Sequence, residues 1–330
     1  MSVKVHILTR ISHPNIDALR SLLPSTVEIT EGEDVPNPSD FHILIAGFPT
    51  RAQIEASPNL SAVIAPFAGA PKEAIELLRD YPQVSLHSIH YNVAPTAEMA
   101  IGLMLAAAKF MIPMDRDLRR HDWRARYDQT PALILHGRTA TVLGYGRIGQ
   151  RIGRICHALG MDVIGIRRHA ATPDPERTLD EFVELHPPAD LRDLLPRSHV
   201  LFVAAPLTQE TEGMIGADEL SLLPREAVVV NVGRARVIDE GALYEALRDR
   251  TILAAGLDVW YHYPLRDEDR GYAAPSRFPF HELDNVVMSP HRGGWITAAE
   301  ETRVVELANL LRAAAEGRPI SSQVDKELGY

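Results

Sequence analysis

The run TATVLGYGRIGQRIGRICHALGMDVIGIRR, residues 139–168, limits what this chain can fold into more than any other stretch. A β-branched apolar segment runs into Gly144, Gly146 and Gly149, an amphipathic segment follows over 147–159, and a second apolar run closes at 166. The spacing G-x-G-x-x-G between a strand and a helix has a physical logic. The first glycine permits a tight turn, the second lets backbone approach a bound group, and the third brings helix and strand close together. The helix N-terminus is then aimed at an anion. A glycine turn alone often serves packing only, but here the preceding strand, the helix and the second strand are all present.

An acid about 20 residues beyond the first glycine is what binds a ribose 2′-hydroxyl in such turns. This chain has Arg167 there, with Arg168 beside it. A guanidinium cannot accept hydrogen bonds from a ribose diol, yet it pairs bidentately with phosphate. The stretch therefore points to NADP(H) as the preferred cofactor with NAD(H) possible, against the plainer reading of two solvated surface arginines.

Strand-like runs recur at 3–8, 41–47, 62–66, 139–144, 161–166, 199–205, 227–233 and 285–290, with amphipathic segments at 147–159, 217–223, 240–249 and 297–315. Such alternation predicts an α/β chain built on parallel sheets, and 330 residues are too many for one core. The segments 171–190 and 32–40 read as loops. A long apolar helix over 96–112, with Thr96 as N-cap, is expected to connect the domains. The apolar run 100–114 carries Lys109 and Pro113 and is too short to span a bilayer. The start, MSVKVHILTR, reads as a strand and lacks the pattern of a secretory leader. A net charge of −10 argues against nucleic acid as a partner. The single cysteine, Cys156, fits a reducing, cytoplasmic setting.

Six segments in order resemble the D-isomer-specific 2-hydroxyacid dehydrogenases: HYNVAPTAEMAIGLML (90–105), GYGRIG (144–149), APLTQETEGMI (205–215), VVNVGRARVIDEGAL (229–243), AAGLDV (254–259) and NVVMSPHRGG (285–294). The resemblance implies two Rossmann-like or flavodoxin-like domains: 1–97 with 296–330 for substrate, and 98–295 for the dinucleotide. It implies an active-site cleft between them. It also implies hydride transfer between a nicotinamide cofactor and a small anionic 2-oxo or D-2-hydroxy acid such as glyoxylate or hydroxypyruvate, and a homodimer. His291 would be the general acid and Arg234 would hold the substrate carboxylate and keto oxygen. Ala68 and Gly69 would clamp the carboxylate through backbone N–H groups, with Phe67 and Asn92 nearby. Gly144, Tyr145, Gly146, Arg147, Ile148 and Gly149 would meet the pyrophosphate, and Arg167 and Arg168 the adenosine ribose. Pro206, Thr211, Val232, Gly233, Asp258 and Gly293 would line the nicotinamide end, Asp258 fixing its carboxamide. The chemistry agrees, since reducing a 2-oxo acid needs a cation for the carboxylate and a proton donor near neutral pH.

Two positions depart from the family. Its catalytic glutamate stands before a proline, five residues after the aspartate of Leu-Asp-Val; here that position is Tyr263, followed by Pro264. Either the phenol faces the histidine, or a shifted loop brings Asp267, Glu268 or Asp269 to it. A phenol gives an imidazolium little Coulombic support, so His291 is expected to titrate low. Phe67 replaces the first glycine of the carboxylate loop, which changes the pocket's shape. A dehydrogenase of another small anion, phosphite or formate, and a dinucleotide-sensing protein without catalysis remain as alternatives. No metal spacing, triphosphate loop or nucleophile elbow is present. Cys156 reads as a buried apolar residue, and Trp295 as either a pocket or a subunit contact.

Overall fold

Short β-branched runs buried on both faces make central strands of parallel sheets, and the computed structural model contains two such sheets. It describes residues 2–8, 15–36, 38–67, 69–129, 131–168, 180–295 and 298–329. The chain divides into two compact units, Met1–Asn92 with Trp295–Tyr330, and Val93–Gly294.

In the first unit, strands β1 (Val3–Leu8), β2 (Val27–Gly32), β3 (Ile43–Ile45), β4 (Ala62–Ala65) and β5 (Ser85–Ser88) are joined through helices α1 (Ile16–Ser21), α2 (Arg51–Glu55) and α3 (Lys72–Arg79). Among the described residues they form one parallel sheet in the order β2-β1-β3-β4-β5, the flavodoxin-like winding. Alternate residues of each strand feed different cores. Val5, Ile7, Ile43, Ile45 and Ile64 pack with Val304, Leu307 and Leu311. Leu44, Val63 and Leu86 pack on the other face with Ile54, Ile75 and Leu78.

The second unit begins with helices α4 (Val93–Ala108) and α5 (Met111–Leu118). Strands β6 (Thr139–Leu143), β7 (Asp162–Ile166), β8 (Val183–His186), β9 (Val200–Val203), β10 (Val228–Asn231), β11 (Ala254–Leu257) and β12 (Val286–Met288) follow. They alternate with helices α6 (Arg147–Ala158), α7 (Leu191–Leu194), α8 (Ala217–Leu222) and α9 (Glu240–Arg248). The parallel sheet among the described residues runs β12-β11-β10-β9-β6-β7-β8. Its order reverses between β6 and β9, the switch point where such folds bind ligands. Leu143, Leu201, Val203 and Val229 face one core, and Val142, Phe202, Val228 and Val230 the other. The last helix among the described residues, α10 (Ala299–Ala315), belongs to the first unit and carries Val304, Leu307 and Leu311 into its core.

Three expectations change. The connecting helix starts at Val93, so Thr96 sits in its first turn and caps nothing. It stops at Ala108 because Pro113 lacks an N–H and its ring would strike the carbonyl at 109. Phe110 turns left-handed with φ 53° and the chain restarts as α5. Part of the expected 171–190 loop is strand, since Val183–His186 pairs with β7 at the sheet edge; residues 171–179 lie outside the described set. Among the described residues no single helix is long and apolar enough to cross a membrane. Cys156 is buried, which pushes its thiol up to about 12.

Candidate active site

The carboxyl ends of β6, β7, β9, β10, β11 and β12 all carry candidate residues, because parallel strands place their following loops along one edge.

At β6, Gly144 has φ 93°, and a Cβ there would lie 2.5 Å from the Ala205 backbone nitrogen. A Cβ at Gly149 would fall on the Gly144 carbonyl oxygen. The Gly144 and Tyr145 N–H groups both donate to the Ile166 carbonyl, at 3.0 and 2.9 Å, tying the turn to β7. The Tyr145 ring is fully buried, in space left by Gly153 and Gly165. Its side chain and N–H therefore serve the turn itself rather than face a ligand. Gly146 precedes α6, which starts at Arg147 and Ile148 with no side-chain cap. An uncapped helix N-terminus beside a turn with no room for Cβ atoms fits a dinucleotide pyrophosphate.

After β7, the Arg167 N–H donates to the His186 carbonyl at 3.0 Å, and Arg168 Nη2 donates to Glu210 Oε2 at 2.6 Å. After β9, the Thr211 hydroxyl donates to the Pro206 carbonyl at 2.6 Å and accepts from the Thr208 N–H at 2.8 Å. Thr211 thus knits its own loop. After β10, the Val232 and Gly233 N–H groups both reach the Val203 carbonyl. Asn231 clasps this turn, its Oδ1 accepting from Gly233 N and its Nδ2 donating to the Arg234 carbonyl, both at 3.1 Å. Arg234 is exposed, and its Nη1 donates to the Gly233 carbonyl at 2.8 Å.

Asp258 follows β11 and is 1% exposed. Its Oδ1 accepts from Ser289 Oγ at 2.6 Å and Arg292 N at 2.8 Å, and its Oδ2 from Gly293 N at 2.8 Å. The carboxylate is thereby committed to the loop after β12, whose His291 holds a left-handed φ of 59°. Trp260 Nε1 donates to the Ser289 carbonyl at 2.8 Å and braces the same loop.

Tyr263 Oη lies 2.8 Å from His291 Nδ1 and accepts from the Trp260 N–H at 3.1 Å. Asp269 and Glu268 pair with Arg266, and Asp267 pairs with Arg270. Of the two openings left by the sequence, it is the phenol that meets the histidine. Burial depresses the His291 pKa below its ordinary value; Asp258 opposes this and the Arg234 charge adds to it. Burial lifts the Tyr263 phenol above its ordinary value.

The first unit carries the other candidates. The Phe67 ring packs over Gly47, where a Cβ would collide with it, and lies 6.1 Å from the Phe48 ring. Gly69 has φ 95°, and Asn92 Oδ1 is buried without a hydrogen-bond partner. Ala68 lies outside the described residues.

Asn231, Ser289 and Trp260 were missed as site residues. Asn231 and Ser289 had a signal, standing in the Asn-x-x-Arg and Ser-Pro-His stretches; Trp260 had none.

Residues 101–293 match the profile of the D-isomer specific 2-hydroxyacid dehydrogenase NAD-binding domain. A glyoxylate reductase from Aeropyrum pernix is 35% identical over 241 residues, 71% of this chain and 67% of that protein. A D-3-phosphoglycerate dehydrogenase from Methanocaldococcus jannaschii is 30% identical over 269 residues, 81% of this chain but only 48% of the relative. The crystal structure of a D-isomer specific 2-hydroxyacid dehydrogenase from Xanthobacter autotrophicus Py2 in complex with NADPH and MES is similar over 100% of both chains, with TM-score 0.80 and 25% identity.

Proposed function

The chain belongs to the D-isomer specific 2-hydroxyacid dehydrogenases, and on that premise we propose that it reduces a small 2-oxo acid of the glyoxylate or hydroxypyruvate kind, using NADP(H) in preference to NAD(H). The observation that carries this reading is one sheet edge bearing the glycine turn, Arg234, and His291 with a phenol at 2.8 Å from its Nδ1. When bound, the nicotinamide supplies the hydride. The α6 N-terminus holds the pyrophosphate, and Arg167 and Arg168 meet the 2′-phosphate. Arg234 neutralises the substrate carboxylate and the charge growing on the keto oxygen. His291 gives a proton from Nε2 to that oxygen. Its Nδ1–H is then received by the Tyr263 oxygen, which already accepts from Trp260 and has a second lone pair to offer. Asp258 acts on the nicotinamide end chiefly by fixing the loop that carries His291 and Gly293.

The unit Val93–Gly294 serves the dinucleotide, and the other unit serves the substrate through the Gly69 N–H and the aromatic wall of Phe67 and Phe48. Met111, Ile112, Trp123, Tyr127 and Ile134 leave a run of exposed apolar side chains over α5 and the segment after it, which supports a homodimer formed through this unit. A lone buried thiol suits a cytoplasmic location.

NADPH and NADH oxidation over a panel of 2-oxo acids, across pH, tests the reading. Turnover favouring NADPH is expected. Tight NADPH binding with no turnover on any acid would make the chain a dinucleotide-binding protein that has lost its chemistry with the glutamate.

A further inference from the structure

The strand order puts β6 between β7 and β9. Arg168 follows β7 and Glu210 lies in the loop after β9, so their ion pair reaches across the end of the strand that carries the glycine turn. The contact is 2.6 Å; the Arg168 side chain is 23% exposed and that of Glu210 is 67% exposed. Glu210 does not hang loosely, for its loop is knitted by the Thr208–Thr211 and Thr211–Pro206 hydrogen bonds on either side of it. An acid from the loop after β9 is thereby set against the cation that follows β7.

We propose that Glu210 moderates the preference for NADP(H) by competing with its 2′-phosphate for Arg168. A carboxylate and a phosphate dianion want the same edge of a guanidinium, and beside one another they repel. Bound NADP(H) therefore has to displace Glu210 or share its cation, whereas NAD(H), with an uncharged hydroxyl at that carbon, meets no such rival. Glu210 narrows the advantage that Arg167 and Arg168 give to NADP(H). The inference rests on the NADP(H) reading above and concerns a residue that reading does not use.

The test is fluorescence titration of the full chain and of Glu210→Gln and Arg168→Ala with NADPH, NADH, adenosine 2′,5′-bisphosphate and AMP. Glu210 is exposed, so its replacement leaves the fold alone. Glu210→Gln is expected to tighten NADPH and the bisphosphate about fivefold, the scale of a partly exposed ion pair. NADH and AMP should change by less than about twofold. If Glu210→Gln leaves NADPH unchanged while Arg168→Ala removes the preference for it, the competition is refuted and the NADP(H) reading survives. Weaker NADPH binding in Glu210→Gln would make Glu210 a support for Arg168 and overturn the proposal by sign. Equal tightening of NADPH and NADH would reduce the pair to a general obstruction, which also overturns it. If Arg168→Ala leaves the ratio of NADPH to NADH affinity untouched, Arg168 does not meet the 2′-phosphate and this inference falls alone; if the unaltered chain shows no preference for NADPH, the NADP(H) reading falls and takes this inference with it.

Discussion

The glycine turn after β6 is held by backbone pressed on backbone, whereas the histidine loop after β12 is held by one carboxylate. In the turn, no side chain can be added at Gly144 or Gly149 without meeting Ala205 or the Gly144 carbonyl. In the loop, three donors from Ser289, Arg292 and Gly293 converge on Asp258. Both lie on one edge of one sheet, yet the first is fixed by sterics and the second by hydrogen bonds to a charge. A steric device ignores pH and salt, while a charge-assisted one answers to both the partner's identity and the protonation of its neighbours. The division suits the proposed tasks, since phosphates need a rigid cradle and a proton donor needs a tunable one.

The largest effect expected is at Gly144. Alanine there would need φ near 93° and a Cβ 2.5 Å from backbone nitrogen, neither of which a side chain can relax. Gly144→Ala should cost more than about 3 kcal/mol of stability or abolish NADPH binding. Melting and titration would read this out. Normal NADPH affinity in a stably folded Gly144→Ala would break the steric half of the comparison.

Asp258→Ala comes next. It strands the buried Gly293 N–H, the part-buried Arg292 N–H and the Ser289 hydroxyl, at a cost of about 3 kcal/mol, and releases His291 from its left-handed φ of 59°. Denaturant unfolding should show that loss, and kcat should fall together with kcat/KM while NADPH binding through the turn is largely kept. If NADPH binding fell as steeply as kcat, the two loops would not be held independently.

The glycine turn, eight of the twelve strands among the described residues and the histidine were legible because each leaves a mark in local order. Spacing shows where backbone must come close, and β-branched runs show where strands are buried on both faces. β8 hid because an edge strand is half exposed, and its short Val-Glu-Leu-His run sits between acids and two prolines. The sequence marked Asp258 within AAGLDV but could not show that the carboxylate is spent on residues about 30 positions later. Nor could counting to Tyr263 decide between the phenol and the acids at 267–269, since arginines on the same short helical turn take up those acids. Such outcomes depend on which groups the fold brings together in space, and periodicity carries no record of it.

The smallest effects belong to Tyr263, and they separate charge from position. Reduction requires His291 protonated, and burial lowers its pKa. The rate should therefore fall as pH rises through a midpoint below about 6.5, the unperturbed value. Tyr263→Glu puts a negative charge where the phenol stood. Because an adjacent carboxylate favours the imidazolium, the midpoint should rise by about one unit or more, and the activity held at pH 7 with it. Tyr263→Phe keeps the ring and removes the hydroxyl, losing a hydrogen bond of about 1 kcal/mol, so kcat should drop roughly fivefold. Its midpoint should move less than about half a unit, because the hydroxyl can donate to neutral Nδ1 or accept from the charged form and so favours neither strongly. The pH profiles of kcat/KM for the three proteins give the reading. A midpoint that climbs only in the glutamate variant places the control of this site in charge. One that shifts as far in the phenylalanine variant would mean that the hydroxyl already stabilises one protonation state, and the histidine loop would then be tuned by hydrogen bonding alone.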